Sequence, residues 1–219
     1  MDKNKQIAAL FDLDGVILDT ETQYTILWNK IGEKYHPEIP DFGYKIKGTT
    51  LKQICDLYFP EQIQVQNTII KLLDDWESSM EYNYIPGTVD FITNLRNHGV
   101  KTAIVTSSNI KKMEIVYRHH PEIKKLVDYI LTAERFTRSK PYPDCYLLGA
   151  ETCGVTPDQA IVFEDSFSGL KAGRDAKMTV VGLATTNSAE KIKGMADIVI
   201  PNFVDYTFKE LMRQIESLL

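Results

Sequence analysis

Ile7-Ala8-Ala9-Leu10-Phe11-Asp12-Leu13-Asp14-Gly15-Val16 is the stretch on which the reading of this chain turns. An apolar run, of the kind that forms a fully buried strand, meets two carboxylates two residues apart. Strand side chains alternate faces, so Asp12 and Asp14 would point the same way, about 6–7 Å apart. Gly15 then permits a turn that a Cβ would obstruct. Open parallel sheets hold their ligand crevice at the C-terminal ends of the strands. Two aspartates aimed there suggest a cation, a nucleophile or both. The plainer alternative is one aspartate capping the next helix and the other in solvent.

The bulk composition is that of a globular protein. The 219 residues suffice for one large domain or a domain with a sizeable insertion. Apolar residues make up 43% and charged residues 25%, and the net charge of −5 comes with no aromatic-rich basic face. Those values argue against a nucleic-acid partner. Cys55, Cys145 and Cys153 form no CxxC pair and fit free thiols in a reducing compartment. Met1 to Gln6 are polar, and the first apolar run is cut short at Asp12. Nothing approaches the roughly 18 apolar residues that span a membrane. The expectation is a cytoplasmic, soluble protein without a membrane partner, monomeric by default.

Beyond the first strand, short apolar runs recur at Thr102–Val105, Tyr129–Leu131, Ala160–Phe163, Thr179–Gly182 and Ile198–Ile200. Amphipathic segments lie between most of them, such as Thr88–His98 before Gly99 and Pro143–Cys153 before Gly154. Alternating strand and helix implies a parallel sheet covered on both faces. Residues 17–82 break this rhythm with helical stripes only: Trp28, Ile31, Tyr35; Leu51, Ile54, Leu57, Tyr58; Ile69, Leu72, Leu73, Trp76. A helical insert therefore follows the first strand and rejoins the sheet near Tyr84-Ile85-Pro86-Gly87, a turn signal. The expected fold class is α/β, a Rossmann-like doubly wound parallel sheet with an inserted α-helical bundle. Its core would occupy residues 1–16 and 83–219.

Three later segments carry polar residues at strand ends. Thr106-Ser107-Ser108-Asn109 offers hydroxyls and turn amides to a phosphate oxygen, and equally fits a helix N-cap. Lys140, in Ser139-Lys140-Pro141, has a restrained backbone and could present a fixed positive charge, or lie on the surface. Glu164-Asp165 closes the Ala160–Phe163 run. Neighbours on a regular strand face opposite ways, so Asp165 is expected at a metal and Glu164 at a water on that metal or at Lys140. Oxygen ligands without His or Cys favour Mg²⁺ over zinc. His119-His120 resembles a ligand pair, but adjacent residues on a helix diverge.

In this order, Asp12-x-Asp14-Gly15, Thr106, Lys140 and Glu164-Asp165 resemble the four motifs of the haloacid dehalogenase superfamily. The insert over 17–82 resembles that family's small α-helical cap, and the likeness spans the whole chain. Phe11-Asp12-Leu13-Asp14-Gly15-Val16-Ile17-Leu18-Asp19-Thr20 and Phe163-Glu164-Asp165-Ser166 are similar to the β-phosphoglucomutase and sugar-phosphate phosphatase branch. The resemblance implies Asp12 as nucleophile, forming an aspartyl-phosphate, and Asp14 as general acid and then base. It implies Thr106 and Lys140 on the transferring phosphoryl group. It also implies Mg²⁺ held by the side chains of Asp12 and Asp165 and the backbone carbonyl of Asp14, with Glu164 beside them. Dehalogenases of the superfamily lack the second aspartate, so Asp14 argues for phosphoryl chemistry.

The chain departs from the mutase pattern at two places. Tyr24 stands where the mutase has a cap histidine, and Leu51 where it has an arginine; both help it grip a second phosphate. A phosphatase acting on a small phosphorylated metabolite, such as a sugar phosphate, is the better expectation. A mutase, a pyrophosphatase on the same scaffold and a receiver-like signalling module are the alternatives. Candidate substrate contacts are Ser107, Ser108, Asn109, Thr20, Tyr24 and Lys47, with Glu21, Trp28, Lys45 and Thr49 also on the insert.

Overall fold

The computed structural model describes residues 6–218. Residues 1–5, on which most of the polar amino-terminal reading rests, and residue 219 lie outside the described residues. The strands are β1 Ala8–Phe11, β2 Lys101–Val105, β3 Tyr129–Leu131, β4 Ala160–Glu164, β5 Thr179–Leu183 and β6 Ile198–Ile200. They pair in parallel throughout, in the order β3-β2-β1-β4-β5-β6. The fold is therefore a doubly wound parallel α/β sheet. The chain leaves β1 toward β2 and β3, then returns to place β4 on the other side of β1. That reversal opens a crevice at the C-terminal ends of β1, β2 and β4.

Between β1 and β2 lie α1 Glu21–Tyr35, α2 Phe42–Lys45, α3 Leu51–Tyr58 and α4 Ile63–Glu77. The helix α5, Thr88–Asn97, leads into β2, and six further α-helices among the described residues follow that strand. The others are α6 Ile110–His119, α7 Ile123–Leu126, α8 Asp144–Cys153, α9 Phe167–Asp175, α10 Ala189–Ile192 and α11 Phe208–Glu216. Pro143 stands outside α8 as its N-cap, and His98 follows α5 as its C-cap. Both flanking residues had been expected inside their helices. Prolines tolerate helix starts, because their missing N–H has no partner to lose there.

The central strands β1, β2, β4 and β5 are buried on both faces, and their alternate residues divide the core in two. Ala9, Phe11, Ile104, Ile161, Phe163 and Val181 pack with α5, α6, α7 and α11. Ala8, Leu10, Ala103, Val105, Val162 and Val180 pack with α8, α9 and α10. Phe11 stacks on Phe163 at 4.6 Å between ring centres, which ties β1 to β4 directly beneath the crevice. A third cluster belongs to the helices α1–α4, built from Leu27, Trp28, Ile31, Phe42, Ile54, Phe59, Ile69 and Leu73. Leu57 and Leu72, expected on apolar stripes, face solvent instead. Each of these helices turns one edge to the small core, held by Ile54 in α3 and by Ile69 and Leu73 in α4. No helix among the described residues is long and apolar enough to cross a membrane.

The chain returns to the sheet layer through Pro86-Gly87. Gly87 has φ +83°, and a Cβ there would run into the backbone of Phe203. The Phe203 N–H meanwhile donates to the Pro86 carbonyl at 3.0 Å. Gly87→Ala combines left-handed strain with a backbone clash, so it should cost about 1–3 kcal/mol or more in denaturant unfolding. A change below about 0.5 kcal/mol would show that this turn relaxes freely.

Candidate active site

The crevice is about 870 Å³ and is lined from the sheet by Asp12, Asp14, Thr106, Ser107, Ser108 and Asp165. From the insert above, Glu21 and Tyr24 of α1 and Lys47, Gly48 and Thr49 of the turn between α2 and α3 face it. Each sheet-derived group sits at a strand end. Asp12 follows β1, Thr106 follows β2, and Glu164 and Asp165 stand at the end of β4. The Asp12 N–H donates to the Phe163 carbonyl at 3.0 Å, so the β1–β4 ladder runs up to the site.

Lys140 lies at the centre of the charge arrangement. Its side chain is fully buried, with Nζ 2.8 Å from Asp12 Oδ1 and 2.6 Å from Glu164 Oε1. The surface alternative for this lysine is thereby excluded. Burial alone would lower its pKa, but the charges of Asp12 and Glu164 outweigh burial and raise it, so the ammonium stays charged. Glu164 is equally buried, and donors engage both of its oxygens. Oε1 also accepts from the Tyr146 hydroxyl at 2.9 Å. Oε2 accepts from the Asp165 N–H at 2.9 Å, the Ser166 N–H at 3.0 Å and the Ser166 hydroxyl at 3.1 Å. Burial opposes ionising Glu164, yet Lys140 and these donors hold its pKa below the ordinary value. Gly169 leaves the space that this carboxylate fills, since a Cβ there would overlap it.

Asp165 is different. Both its carboxylate oxygens are enclosed and make no hydrogen bond among the described residues. Gly15, at φ +77°, makes the cradle, because a Cβ there would occupy the place of the Asp165 carboxylate. Carboxylate oxygens of Asp12, Glu164 and Asp165 lie within 4.8 Å of one another. An all-oxygen donor set with one orphaned carboxylate fits a hard divalent cation. Since Glu164 is bound by protein donors, the oxygens left for a cation are those of Asp12 and Asp165. Burial pushes the Asp12 carboxyl up to about 8; Lys140 opposes that rise, while Glu164 and Asp14 add to it. Burial, followed by the charges of Glu164, Glu21 and Asp12, holds Asp165 far above the usual range.

The Asp14 carboxylate stands outside this cluster. It accepts from the Thr20 hydroxyl, from the Ser108 hydroxyl at 3.0 Å and from Lys112 Nζ at 2.5 Å. Burial would raise its pKa, but Lys112 and these bonds bring it below the ordinary value. Asp12 and Asp14 therefore share a crevice in different electrostatic settings.

The remaining sequence candidates are placed as follows. Thr106 is buried, and its hydroxyl accepts from the Ser108 N–H at 3.0 Å. The Ser107 hydroxyl lies 2.8 Å from that of Ser139 and donates to the Gly48 carbonyl at 3.1 Å. Asn109 caps α6, its Oδ1 accepting from the Lys112 N–H at 2.8 Å. Thr20 is buried under Asp14, and Lys47 is bonded to the Glu21 carboxylate. Tyr24 and Trp28 both line the crevice wall, and Trp28 also packs into the core of the insert near Phe42. Lys45 is exposed and does not reach the crevice. His120 turns one ring nitrogen to the Tyr82 carbonyl and the other to Glu122, so it makes no ligand pair with His119.

Sequence reading missed Lys112, Glu77 and Tyr146. Lys112 had a legible sign, for it lies on the face of α6 that buries Ile115 and Val116 three and four residues on. A lysine on an apolar face needs a buried partner. Glu77 and Tyr146 sit in ordinary helical stripes, and nothing local marks them.

Residues 9–183 match the family model described as haloacid dehalogenase-like hydrolase. A phosphorylated carbohydrates phosphatase of Thermotoga maritima is 27% identical over 177 residues, covering 77% of this chain and 81% of that protein. A β-phosphoglucomutase of Mycobacterium bovis is 27% identical over 240 aligned positions, covering 90% of each. Among solved structures, a β-phosphoglucomutase of Clostridium difficile superposes with a TM-score of 0.80 at 21% identity. It covers 97% of this chain and 98% of that one, a likeness of fold.

The buried pairs make the site a stability element as well. Lys140→Met would leave Glu164 and Asp12 without their common cation in a dry environment. Breaking such a pair from one side costs about 3–5 kcal/mol. Denaturant unfolding of the metal-free protein should show a loss of that size. An unchanged midpoint would mean that water reaches Glu164.

Proposed function

The chain belongs to the haloacid dehalogenase-like hydrolases, and we propose that it is a Mg²⁺-dependent phosphatase of a small phosphorylated metabolite, a sugar phosphate by preference. One observation carries this reading: Lys140 sits between Asp12 and Glu164 at the strand ends where Asp14 and Thr106 converge. In this reading helices α1–α4 are a cap over residues 17–82, and residues 1–16 and 83–219 are the catalytic core.

Asp12 attacks phosphorus and the bond to the leaving oxygen breaks, giving an aspartyl-phosphate. Asp14, an anion in the free site, takes up a proton as the anionic phosphate enters beside it and gives that proton to the leaving oxygen. It then takes a proton from the water that attacks phosphorus and frees Asp12 with inorganic phosphate. Lys140 holds Asp12 in line and offsets charge gathering on the phosphoryl oxygens, with Thr106 and the Ser107 and Ser108 turn beside them. Magnesium, held by Asp12 and Asp165 when bound, supplies the positive charge that keeps both carboxylates ionised and screens them from an anionic phosphate.

The charges around the crevice support a substrate whose body is uncharged. Each lysine or arginine on its wall already faces a carboxylate: Lys47 with Glu21, Lys52 with Asp56, Lys111 with Asp74, Lys112 with Asp14, Arg138 with Asp144. Glu77 and Glu134 add further acid. A second phosphate would have to displace one of these partners, which weighs against mutase cycling through a bisphosphate. Leu51, also on the wall, offers no charge.

Two measurements test the proposal. Phosphate release from a panel with pyrophosphate and β-glucose 1-phosphate should depend on Mg²⁺, favour one sugar phosphate and vanish in Asp12→Asn. Conversion of β-glucose 1-phosphate to the 6-phosphate without release would establish the mutase instead. Retained turnover in Asp12→Asn would overturn the nucleophile. The second measurement follows from the raised carboxyls of Asp12 and Asp165. Without metal they keep protons in the folded chain at pH values where the unfolded chain has released them. Their contribution to stability therefore falls as pH rises from the ordinary carboxylate range toward about 8. The lowered groups, Asp14 and Glu164, are already ionised in both states there. The rise in melting temperature on adding Mg²⁺ should grow between about pH 5 and pH 8 and disappear in Asp165→Asn. A pH-independent rise would place the cation elsewhere.

A further inference from the structure

Lys112 belongs to none of the motifs that define the site, yet it is among the most constrained side chains in it. It lies in the first turn of α6 and is only 3% exposed. Its Nζ is 2.5 Å from Asp14 Oδ2 and 4.4 Å from the centre of the Tyr24 ring. The Tyr24 hydroxyl in turn donates to Glu77 Oε1 at 2.8 Å. A buried ammonium is costly unless it is paired, and here a carboxylate and the negative face of a ring share it.

Asp14 sits on the turn after β1, where the backbone alone leaves its side-chain torsions free. Lys112 and Ser108 hold Oδ2, and Thr20 holds Oδ1, so the carboxylate keeps one orientation toward the crevice. The support for that orientation comes from two parts of the chain. Lys112 and Ser108 belong to the segment after β2, whereas Tyr24 and Glu77 belong to α1 and α4 of the insert. Asp14 is thus held through a chain that joins the sheet to the helices above it.

We propose that Lys112 is a positioning residue for Asp14, holding the acid/base carboxylate in its working orientation while Tyr24 and Glu77 of the insert hold Lys112. This rests on the reading of Asp14 as acid and base. Misplacing a reacting group by about 1 Å can cost a factor of about 100, so the loss is expected in kcat rather than in substrate binding.

The test is a double-mutant cycle on the full-length protein with Mg²⁺ and p-nitrophenyl phosphate, following kcat, KM and inhibition by inorganic phosphate. Lys112→Met should lower kcat about tenfold to a hundredfold, with KM and phosphate inhibition nearly unchanged. Asp14→Asn should lower kcat by about 100-fold or more. On that background Lys112→Met should have no further effect, because a residue that acts through Asp14 is silent once Asp14 is disabled. Lys112→Gln, which keeps a donor of similar reach, carries the same cycle if the methionine variant does not fold. An equal factor on both backgrounds, or wild-type kcat in Lys112→Met, would overturn the positioning role. Wild-type kcat in Asp14→Asn would instead overturn the acid/base reading beneath it.

Discussion

The rest of the site depends on one ammonium group shared by two buried carboxylates. Lys140 joins Asp12 at the end of β1 to Glu164 at the end of β4, with Lys140 and Glu164 fully buried. Such an arrangement persists only where every other lone pair is satisfied. Tyr146, two backbone amides and the Ser166 hydroxyl do this for Glu164. The same amides form the turn that places Asp165, so the position of that carboxylate follows from how Glu164 is satisfied. Gly169 and Gly15 are required because two carboxylates occupy the space their side chains would need.

Asp12 and Asp14 are separated in chemistry by what surrounds them. Asp12 is buried and shares its cation with Glu164, so removing its proton is costly unless more positive charge arrives. Asp14 has a lysine of its own and two hydroxyl donors, which favour its anion. Two carboxylates two residues apart are driven in opposite directions: without added positive charge Asp12 keeps its proton, while Asp14 is an anion. The helices α1–α4 take part in this division, since Tyr24 and Glu77 close the far side of Lys112.

Much of the fold was legible because it rests on local patterns. Apolar runs marked all the strands, and the glycines after Asn97 and Cys153 marked helix ends. Element edges shifted by a residue or two, as at Pro143 and Glu164, where capping and ladder pairing decide. The stripes in the insert were read correctly as helices but not fully as to face, since Leu57 and Leu72 are exposed. Four helices around a small core cannot bury every apolar residue they carry.

By itself the sequence determined the α/β class, the helical insert and the identity of Asp12, Asp14, Thr106, Lys140, Glu164 and Asp165 as a group. Each of these lies beside a strand end or turn whose signal is contained in a few neighbouring residues. Only the tertiary structure decided which groups share charge. That Glu164 takes Lys140 and leaves Asp165 unsatisfied depends on contacts between segments 24 or more residues apart. That Asp14 is held by Lys112 depends on a contact across 98 residues of chain. Electrostatic pairing among buried groups is a property of distance in space, and periodicity along the chain carries no record of it.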